Sequence, residues 1–176
     1  VGTGPLLGAA FVGHVGVVCD LLAARARVDQ PLSRTTRSGI PGGWRAMHAA
    51  AGIGHADVCE VLLSARGDPN MRTRWPRLAP LHAACFSPWA HTVRVLATGR
   101  ADLEAKLPFP VGFTALQLAA CLSNADACEA LLEVRADASA RCRTIIGSGT
   151  ALDLATKWNR QGAMAALSAP SGRMPC

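Results

Sequence analysis

One short segment occurs five times, with variations, along the 176 residues of this chain. It reads Met47-His48-Ala49-Ala50-Ala51 and returns with small changes at 81–85, 116–120 and 152–156, and more faintly at 6–10. The units that contain it begin near Gly4, Arg45, Ala79, Thr114 and Thr150. A unit of this length cannot bury its own apolar face, so it must stack on its neighbours into a solenoid that offers a long open surface.

The residues around this segment indicate which kind of repeat it is. Ala79-Pro80-Leu81-His82-Ala83-Ala84 resembles the T-P-L-H-x-A signature of ankyrin repeats, with Ala in place of Thr. Gly13-His14 and Gly54-His55 match the Gly-His that this family places between its two helices. The segments at 66–70, 100–104 and 135–139 resemble the family's G-A-D-V-N ending with the first Gly replaced. The Trp, Leu-Gly and Tyr pattern of tetratricopeptide repeats is missing.

The resemblance implies an all-α ankyrin-repeat solenoid of stacked helix-turn-helix units with protruding loops. We expect a single domain over residues 1–168, followed by a flexible tail over 169–176. The repeats are expected at about 4–30, 45–70, 79–104, 114–139 and 150–168. Paired alanines in the first helices allow close approach, and apolar residues three and four apart form the stripe of each second helix. The segment 147–150 is interpreted as a turn leading to a helix N-cap.

The seven cysteines contain no Cys-x-x-Cys pair. Cys59 and Cys128 share one position in the second helices, and Cys85 takes a core alanine position, so we expect buried, reduced thiols. This predicts an intracellular location, in the cytoplasm or the nucleus. Residues 1–19 carry no charged side chain, yet the repeat pattern assigns them to a packed first repeat rather than to a membrane span. From the Val start we expect further sequence upstream.

The histidines and carboxylates do not form a recognisable catalytic set. The resemblance implies that His48 and His82 hydrogen-bond to backbone between repeats, and that His14 and His55 lie in the Gly-His turns. His91 has no assigned place and is expected to be solvated. No nucleophile comes with a base, and no glycine-rich phosphate loop follows a strand. We therefore expect no catalytic residues, no cofactor and no metal site.

The positive charge is concentrated in the loops that ankyrin proteins call fingers. We define them as the first finger (30–44), the second (71–78), the third (105–112) and the fourth (138–148). Together they contain eight cations and no Asp or Glu: Arg34, Arg37, Arg72, Arg74, Arg77, Lys106, Arg141 and Arg143. The rest of the chain has ten basic against twelve acidic residues, although the formal net charge is +6.

Most of the large aromatic side chains lie in or near the fingers, or late in the first helices where the family presents a concave groove. Arginines beside aromatic rings suit recognition of carboxylate or phosphate groups. We predict that the chain is a non-catalytic protein–protein interaction module, monomeric when isolated, whose partner is a protein or peptide with acidic or phosphorylated residues. The predicted contact residues are Trp44, Arg45, Arg72, Arg74, Trp75, Arg77, Phe86, Phe109, Phe113 and Trp158.

Three alternatives stay open at this point. Sixteen Arg against two Lys is consistent with a compositional bias that places spare arginines in solvated loops. Nucleic-acid binding through the basic fingers is disfavoured, because the chain lacks a continuous Lys/Arg run, and it would require steeply salt-dependent affinity. The chain also fits the targeting domain of a larger enzyme.

Two departures from the family pattern concern stability. The family commonly has Gly in a left-handed conformation after the second helix, and this chain has Arg25, Arg66, Arg100 and Arg135 there. A side chain at such a position costs about 1–2 kcal/mol, offset by about 0.3–1 kcal/mol from a cation at a helix C-terminus. The helix-starting Thr remains only as Thr114 and Thr150.

Overall fold

The structure, a computed structural model, describes residues 4–33, 42–108, 112–144 and 147–169, with the backbone alone for 143, 144 and 147. Ten helices form five consecutive pairs within these residues, which confirms the predicted all-α solenoid. In chain order they are α1 (Pro5–Val12), α2 (Val15–Ala23), α3 (Ala46–Ile53), α4 (Ala56–Ser64), α5 (Pro80–Ala84), α6 (Ala90–Thr98), α7 (Ala115–Leu122), α8 (Ala125–Glu133), α9 (Ala151–Lys157) and α10 (Gln161–Ser168).

The helices stack in two rows. The first helices contact one another in the order α1, α3, α5, α7 and α9, and the second helices in the order α2, α4, α6, α8 and α10. The alanines at the centre of the first row, such as Ala50 and Ala119, are fully buried, as are the leucines of the second row, such as Leu62 and Leu131. Small residues therefore let the first helices approach closely, while the larger leucines fill the space between the two rows.

The N-caps of the five first helices lie at the residues where the repeated units begin, but their capping differs. Thr114 and Thr150 each form a capping box, with Gln117 and Asp153 as the reciprocal partners. Gly4, Arg45 and Ala79 provide no side-chain cap. The last two first helices therefore begin with satisfied amide groups that the first three lack.

The predicted left-handed arginines are confirmed. Arg25, Arg66, Arg100 and Arg135 have φ angles of 63°, 63°, 65° and 67°. Each follows a second helix, and its amide donates to a carbonyl three residues back in the chain, for example from Arg66 to Leu63 at 2.9 Å. The chain needs this conformation to leave the helix towards the next finger, whichever residue occupies the position.

The fourth finger contains a small antiparallel hairpin that the sequence analysis did not predict. Strand β1 (Cys142–Thr144) pairs with β2 (Gly147–Gly149), and Cys142 lies opposite Gly149. The interpretation of 147–149 as a turn is therefore wrong, because their backbone groups pair across the finger. Thr150 does cap α9 as predicted.

The helices are all short, the longest having nine residues. None of those in the described ranges has the length and apolarity needed to cross a bilayer.

Candidate interaction surface

The fingers are closed at their bases by backbone hydrogen bonds. Leu32 and Trp44 pair at 2.7 Å in the first finger, Thr73 and Leu78 at 2.8 Å in the second, and Leu107 with Phe113 at 2.9 Å in the third. Residues 44, 78 and 113 all directly precede the N-cap of a first helix. Each of these three fingers is therefore a hairpin-like loop, and the residue just before the N-cap at its base faces the stack.

This position explains why one predicted contact residue is wrong. Phe113 is 3% exposed and lies in the main hydrophobic core, as does Leu78 at the same position one repeat earlier. Trp44, the first member of this series, is half-buried against Leu7, Leu32 and Ala49. Its ring centroid lies 6.1 Å from that of His48. These aromatic residues anchor finger bases to the core, so Phe113 cannot contact a partner.

Two of the predicted contact residues, Arg45 and Arg72, and the finger cation Lys106 form hydrogen bonds that connect one finger to the next. The Arg45 guanidinium donates to the backbone oxygens of Asp29, Gly43 and Arg72 at 3.1, 3.2 and 2.9 Å. Arg72 donates to the Lys106 oxygen at 2.7 Å. Lys106 in turn lies 3.5 Å from the Arg141 oxygen. The charged groups of Arg45, Arg72 and Lys106 are thus engaged by backbone, a role that the sequence analysis missed.

The tip of the second finger, residues Arg74-Trp75-Pro76-Arg77, is exposed throughout. Trp75 is 69% exposed, the highest value among the exposed large hydrophobic side chains of the described residues. Below the tip, the buried Thr73 hydroxyl accepts a hydrogen bond from the Leu78 amide at 2.9 Å. A β-carbon built on Gly43 would lie 2.5 Å from the Arg74 nitrogen, so the first finger packs closely on this backbone. The stem is rigidly supported, while the tip side chains point to solvent.

The remaining predicted contacts lie elsewhere. Phe86, 57% exposed, follows α5 at the end opposite the fingers, and Trp158 is the partly buried C-cap of α9. Phe109, Arg34 and Arg37 lie outside the described residues, as does the predicted tail beyond Ala169. The structure therefore separates the predicted residues into a finger group and a turn group at opposite ends of the first helices.

His48 forms the backbone contact between repeats that the resemblance implied, whereas the structure shows no such hydrogen bond at His82, contrary to the prediction. His48 Nε2 lies 2.9 Å from the Leu78 oxygen, in the next finger. Burial lowers the pKa of His48 to about 4, although the Leu78 carbonyl opposes the shift. Burial likewise lowers the pKa of His82 to about 4, although the nearby Phe113 backbone opposes the shift, and neither ring nitrogen forms a hydrogen bond of good geometry. Both imidazoles are therefore neutral at pH 7.

The six described cysteines are free thiols, and five of them are buried. Cys19, which is exposed, differs from the prediction. Burial raises the pKa values of Cys59, Cys121 and Cys128 to about 12, so these thiols stay protonated and are poor nucleophiles at neutral pH. Across the described ranges no three His, Cys, Asp or Glu side chains group in a way that could hold a metal ion.

These observations define the class of the protein as a helical repeat solenoid, with basic fingers at one edge and inter-helix turns at the other. A family model described as ankyrin repeats (3 copies) matches residues 47–142, which is just over half of the chain. The chain belongs to the ankyrin repeat family. No match is found among curated proteins.

Proposed function

We propose that this chain is a non-catalytic protein–protein interaction module that contacts an acidic or phosphorylated segment of its partner through the tip of the second finger. Ankyrin repeats generally serve as protein–protein interaction modules. The observation that carries the finer proposal is the exposure of Trp75 between two exposed arginines, Arg74 and Arg77. The backbone below this tip is held by the Thr73–Leu78 hydrogen bond within the second finger and by close packing against Gly43 of the first.

The chemistry of the tip suits an anionic ligand. A guanidinium group forms paired hydrogen bonds with a carboxylate or a phosphate, and an indole adds a large apolar surface at a low cost in conformational entropy. Arg74 and Arg77 are free for this task because, unlike Arg45 and Arg72, they form no side-chain hydrogen bond within the described part of the chain. The tip would therefore gain its contacts without losing a bond that supports the fold.

Fluorescence anisotropy with labelled peptides of equal length tests this proposal. The peptides carry phosphoserines, glutamates or lysines at the same positions. We expect the Arg74→Ala/Trp75→Ala/Arg77→Ala variant to bind the acidic and phosphorylated peptides about tenfold more weakly than the wild type. Arg66→Gly/Arg100→Gly is the matched control, because it removes the same charge from outside the fingers. Equal binding by the wild type and the fingertip variant would contradict the proposal.

Salt dependence separates this function from nucleic-acid binding. A single-stranded oligonucleotide whose phosphates are neutralised by several finger cations would lose about 0.7 log unit of affinity per contact for each tenfold rise in salt. We expect weak oligonucleotide binding, since Arg45, Arg72 and Lys106 already donate to backbone. An oligonucleotide that binds more tightly than every peptide, with a steep salt slope, would favour the alternative.

The proposal includes an intracellular setting. Its support is that the described cysteines are free thiols, the state expected in a reducing compartment.

A further inference from the structure

An open cleft of about 440 Å³ lies between the inter-helix turns of the third and fourth repeats. Phe86 and Pro88 line it on one side, and Leu122, Ser123 and Asp126 on the other. Phe86 and Leu122 are 57% and 42% exposed. This cleft is at the turn edge of the stack, while the fingers are at the opposite end of the first helices, about 12 Å away for an eight-residue helix.

The equivalent places at the two preceding junctions are filled by rings. His55, the N-cap of α4, covers the turn of the first repeat, and a β-carbon built on Gly13 would lie 2.6 Å from its Cε1 atom. Trp89, the N-cap of α6, covers the turn of the second repeat so closely that a β-carbon on Gly54 would overlap the indole. A planar side chain is thus the occupant that this geometry accepts.

At the third junction the same position is Asn124, the N-cap of α8, which has no ring. Its amide donates to the backbone oxygens of Cys85 and Ser87 at 3.0 and 2.7 Å, and its side-chain oxygen accepts from the Ala127 amide at 3.0 Å. The short side chain joins the two turns at the floor of the junction and leaves the space above it open.

The turn of the third repeat differs from those of the first two. Gly13 and Gly54 take left-handed conformations with φ of 84° and 100°. Pro88 stands at the equivalent position, and its ring holds φ near −65°. Helix α5 accordingly ends at Ala84, and residues 85–89 connect it to α6.

Asp126 is the charged residue that lines the cleft. It is exposed, and Glu129 is exposed one turn later on the same face of α8. The cation on the facing helix, Arg94, is paired with Glu133 at 2.7 Å. His91, in the first turn of α6, is also exposed. Asn124 satisfies the Ala127 amide, and Arg160, the exposed N-cap of α10 in the next repeat, is the cation that acts on neighbouring Cys121.

We propose that this cleft binds an aromatic side chain of a partner protein that has a lysine or arginine next to it in sequence. The ring takes the place that His55 and Trp89 occupy at the earlier junctions, and the cation lies against Asp126. This surface is separate from the fingertip and selects the opposite charge, so one partner or two can occupy the two edges independently.

Three short acetylated and amidated peptides test the proposal, with central Phe-Arg, Phe-Glu or Ser-Arg in an otherwise identical Gly/Ser sequence. Binding is followed by amide chemical-shift changes in the ¹⁵N-labelled protein. We expect the Phe-Arg peptide to shift the amides of Phe86 and of residues 122–126. The Phe-Glu peptide is expected to bind about two- to fivefold more weakly, the range of an exposed ion pair, and the Ser-Arg peptide to cause no saturable shift.

Two variants at Asn124 distinguish the effect of filling the cleft from the effect of losing the Asn124 side-chain hydrogen bonds. Asn124→Trp removes the hydrogen bonds and fills the space, whereas Asn124→Ala removes the hydrogen bonds and leaves it open. We expect Phe-Arg binding to be lost in Asn124→Trp and retained in Asn124→Ala. Asn124→His, which copies the cap of α4, replaces the Trp variant if the latter does not fold. Asp126→Asn should make the Phe-Arg and Phe-Glu peptides bind equally.

Several outcomes would overturn the proposal. They are equal binding of the Ser-Arg and Phe-Arg peptides, wild-type affinity in the folded Asn124→Trp or Asn124→His variant, and shifts confined to the fingers. The fingertip variant Arg74→Ala/Trp75→Ala/Arg77→Ala should leave Phe-Arg binding unchanged. A failure of the cleft proposal can therefore be distinguished from a failure of the proposed fingertip function.

Discussion

The Arg72 guanidinium donates a 2.7 Å hydrogen bond to the backbone oxygen of Lys106, the residue at the same position one repeat later. Arg45 reaches the Arg72 oxygen at 2.9 Å, and the Lys106 ammonium group lies 3.5 Å from the Arg141 oxygen. Cations that resemble a ligand-binding row in the sequence therefore connect successive fingers. Their positive charge remains in the fingers, but their donors are directed along the stack.

Replacing Arg72 with Met should loosen the second finger while the helices remain folded. The change removes a donor but keeps an unbranched side chain, so we expect a loss of about 0.5–1 kcal/mol, as for a partly exposed hydrogen bond. Hydrogen exchange at the amides of Thr73 and Leu78 should become faster, because these groups close the base of the finger. Arg74→Met is the control at the exposed tip, and equal exchange in both variants would argue against the connecting role.

Most of the fold could be predicted from the sequence because local signals agree with the stacking. The segments around His48 and His82 predicted where their helices begin. The position of Arg66 predicted a left-handed backbone. These features depend on residues within one repeat and its nearest neighbour. The hairpin in the fourth finger was missed because Gly147 and Ser148 have no strand propensity of their own, and the pairing depends on the opposing chain.

The interaction surface was harder to predict because a finger residue has two possible environments. Phe113 and Trp75 are aromatic residues at the base and at the tip of their fingers, and only Phe113 precedes an N-cap and faces the core. Equally, Arg72 and Arg74 are two positions apart, and only the backbone path decides which reaches the next finger. The contrast between Trp89 and Asn124 at one repeat position was present in the sequence, and aligning the turns would have indicated the cleft.

Replacing the left-handed arginines with glycine should stabilise the fold. In the double variant Arg66→Gly/Arg100→Gly, each site loses a conformational cost of about 1–2 kcal/mol and a favourable helix-end charge of about 0.3–1 kcal/mol. We expect a net gain of about 1–2 kcal/mol for the pair, which corresponds to about 2–8 °C in the melting temperature. Thermal unfolding followed by circular dichroism measures it. A lower melting temperature would mean that the arginine side chains form contacts worth more than the backbone strain.

Replacing Thr92 with Val should stabilise the fold. Its side chain is fully buried in α6, and its hydroxyl has no hydrogen-bond partner. Val58 occupies the same position in α4 and is also fully buried. Removing the unsatisfied hydroxyl should add about 1 kcal/mol to the free energy of unfolding in urea. Thr98→Val is the control, because the Thr98 hydroxyl donates to the Val95 oxygen at 2.8 Å, and this variant should give no gain.

The two buried histidines predict that the fold weakens in mild acid. Their pKa values are lowered to about 4 in the folded state, chiefly by burial, from 6.5 in the unfolded chain. Between these limits the unfolded chain binds protons that the folded chain does not, so stability is complete above pH 6.5 and falls as the pH drops towards 4. At pH 5 each histidine should lower the free energy of unfolding by about 2 kcal/mol relative to its value at pH 7.

Replacing the buried histidines with Gln tests this pH dependence. Gln is the natural residue at this position in the fourth repeat, so we expect the fold to accept it. The Gln117 amide donates to the Ala140 oxygen at 2.8 Å in the place that His48 and His82 occupy. Urea unfolding at pH 7 and pH 5 should show a large difference for the wild type and a much smaller one for His48→Gln/His82→Gln. His91→Gln, at an exposed position of α6, should retain the wild-type difference. If the double variant keeps it too, protonation of other groups must weaken the fold, since Gln cannot titrate and most carboxyl groups titrate lower in pH.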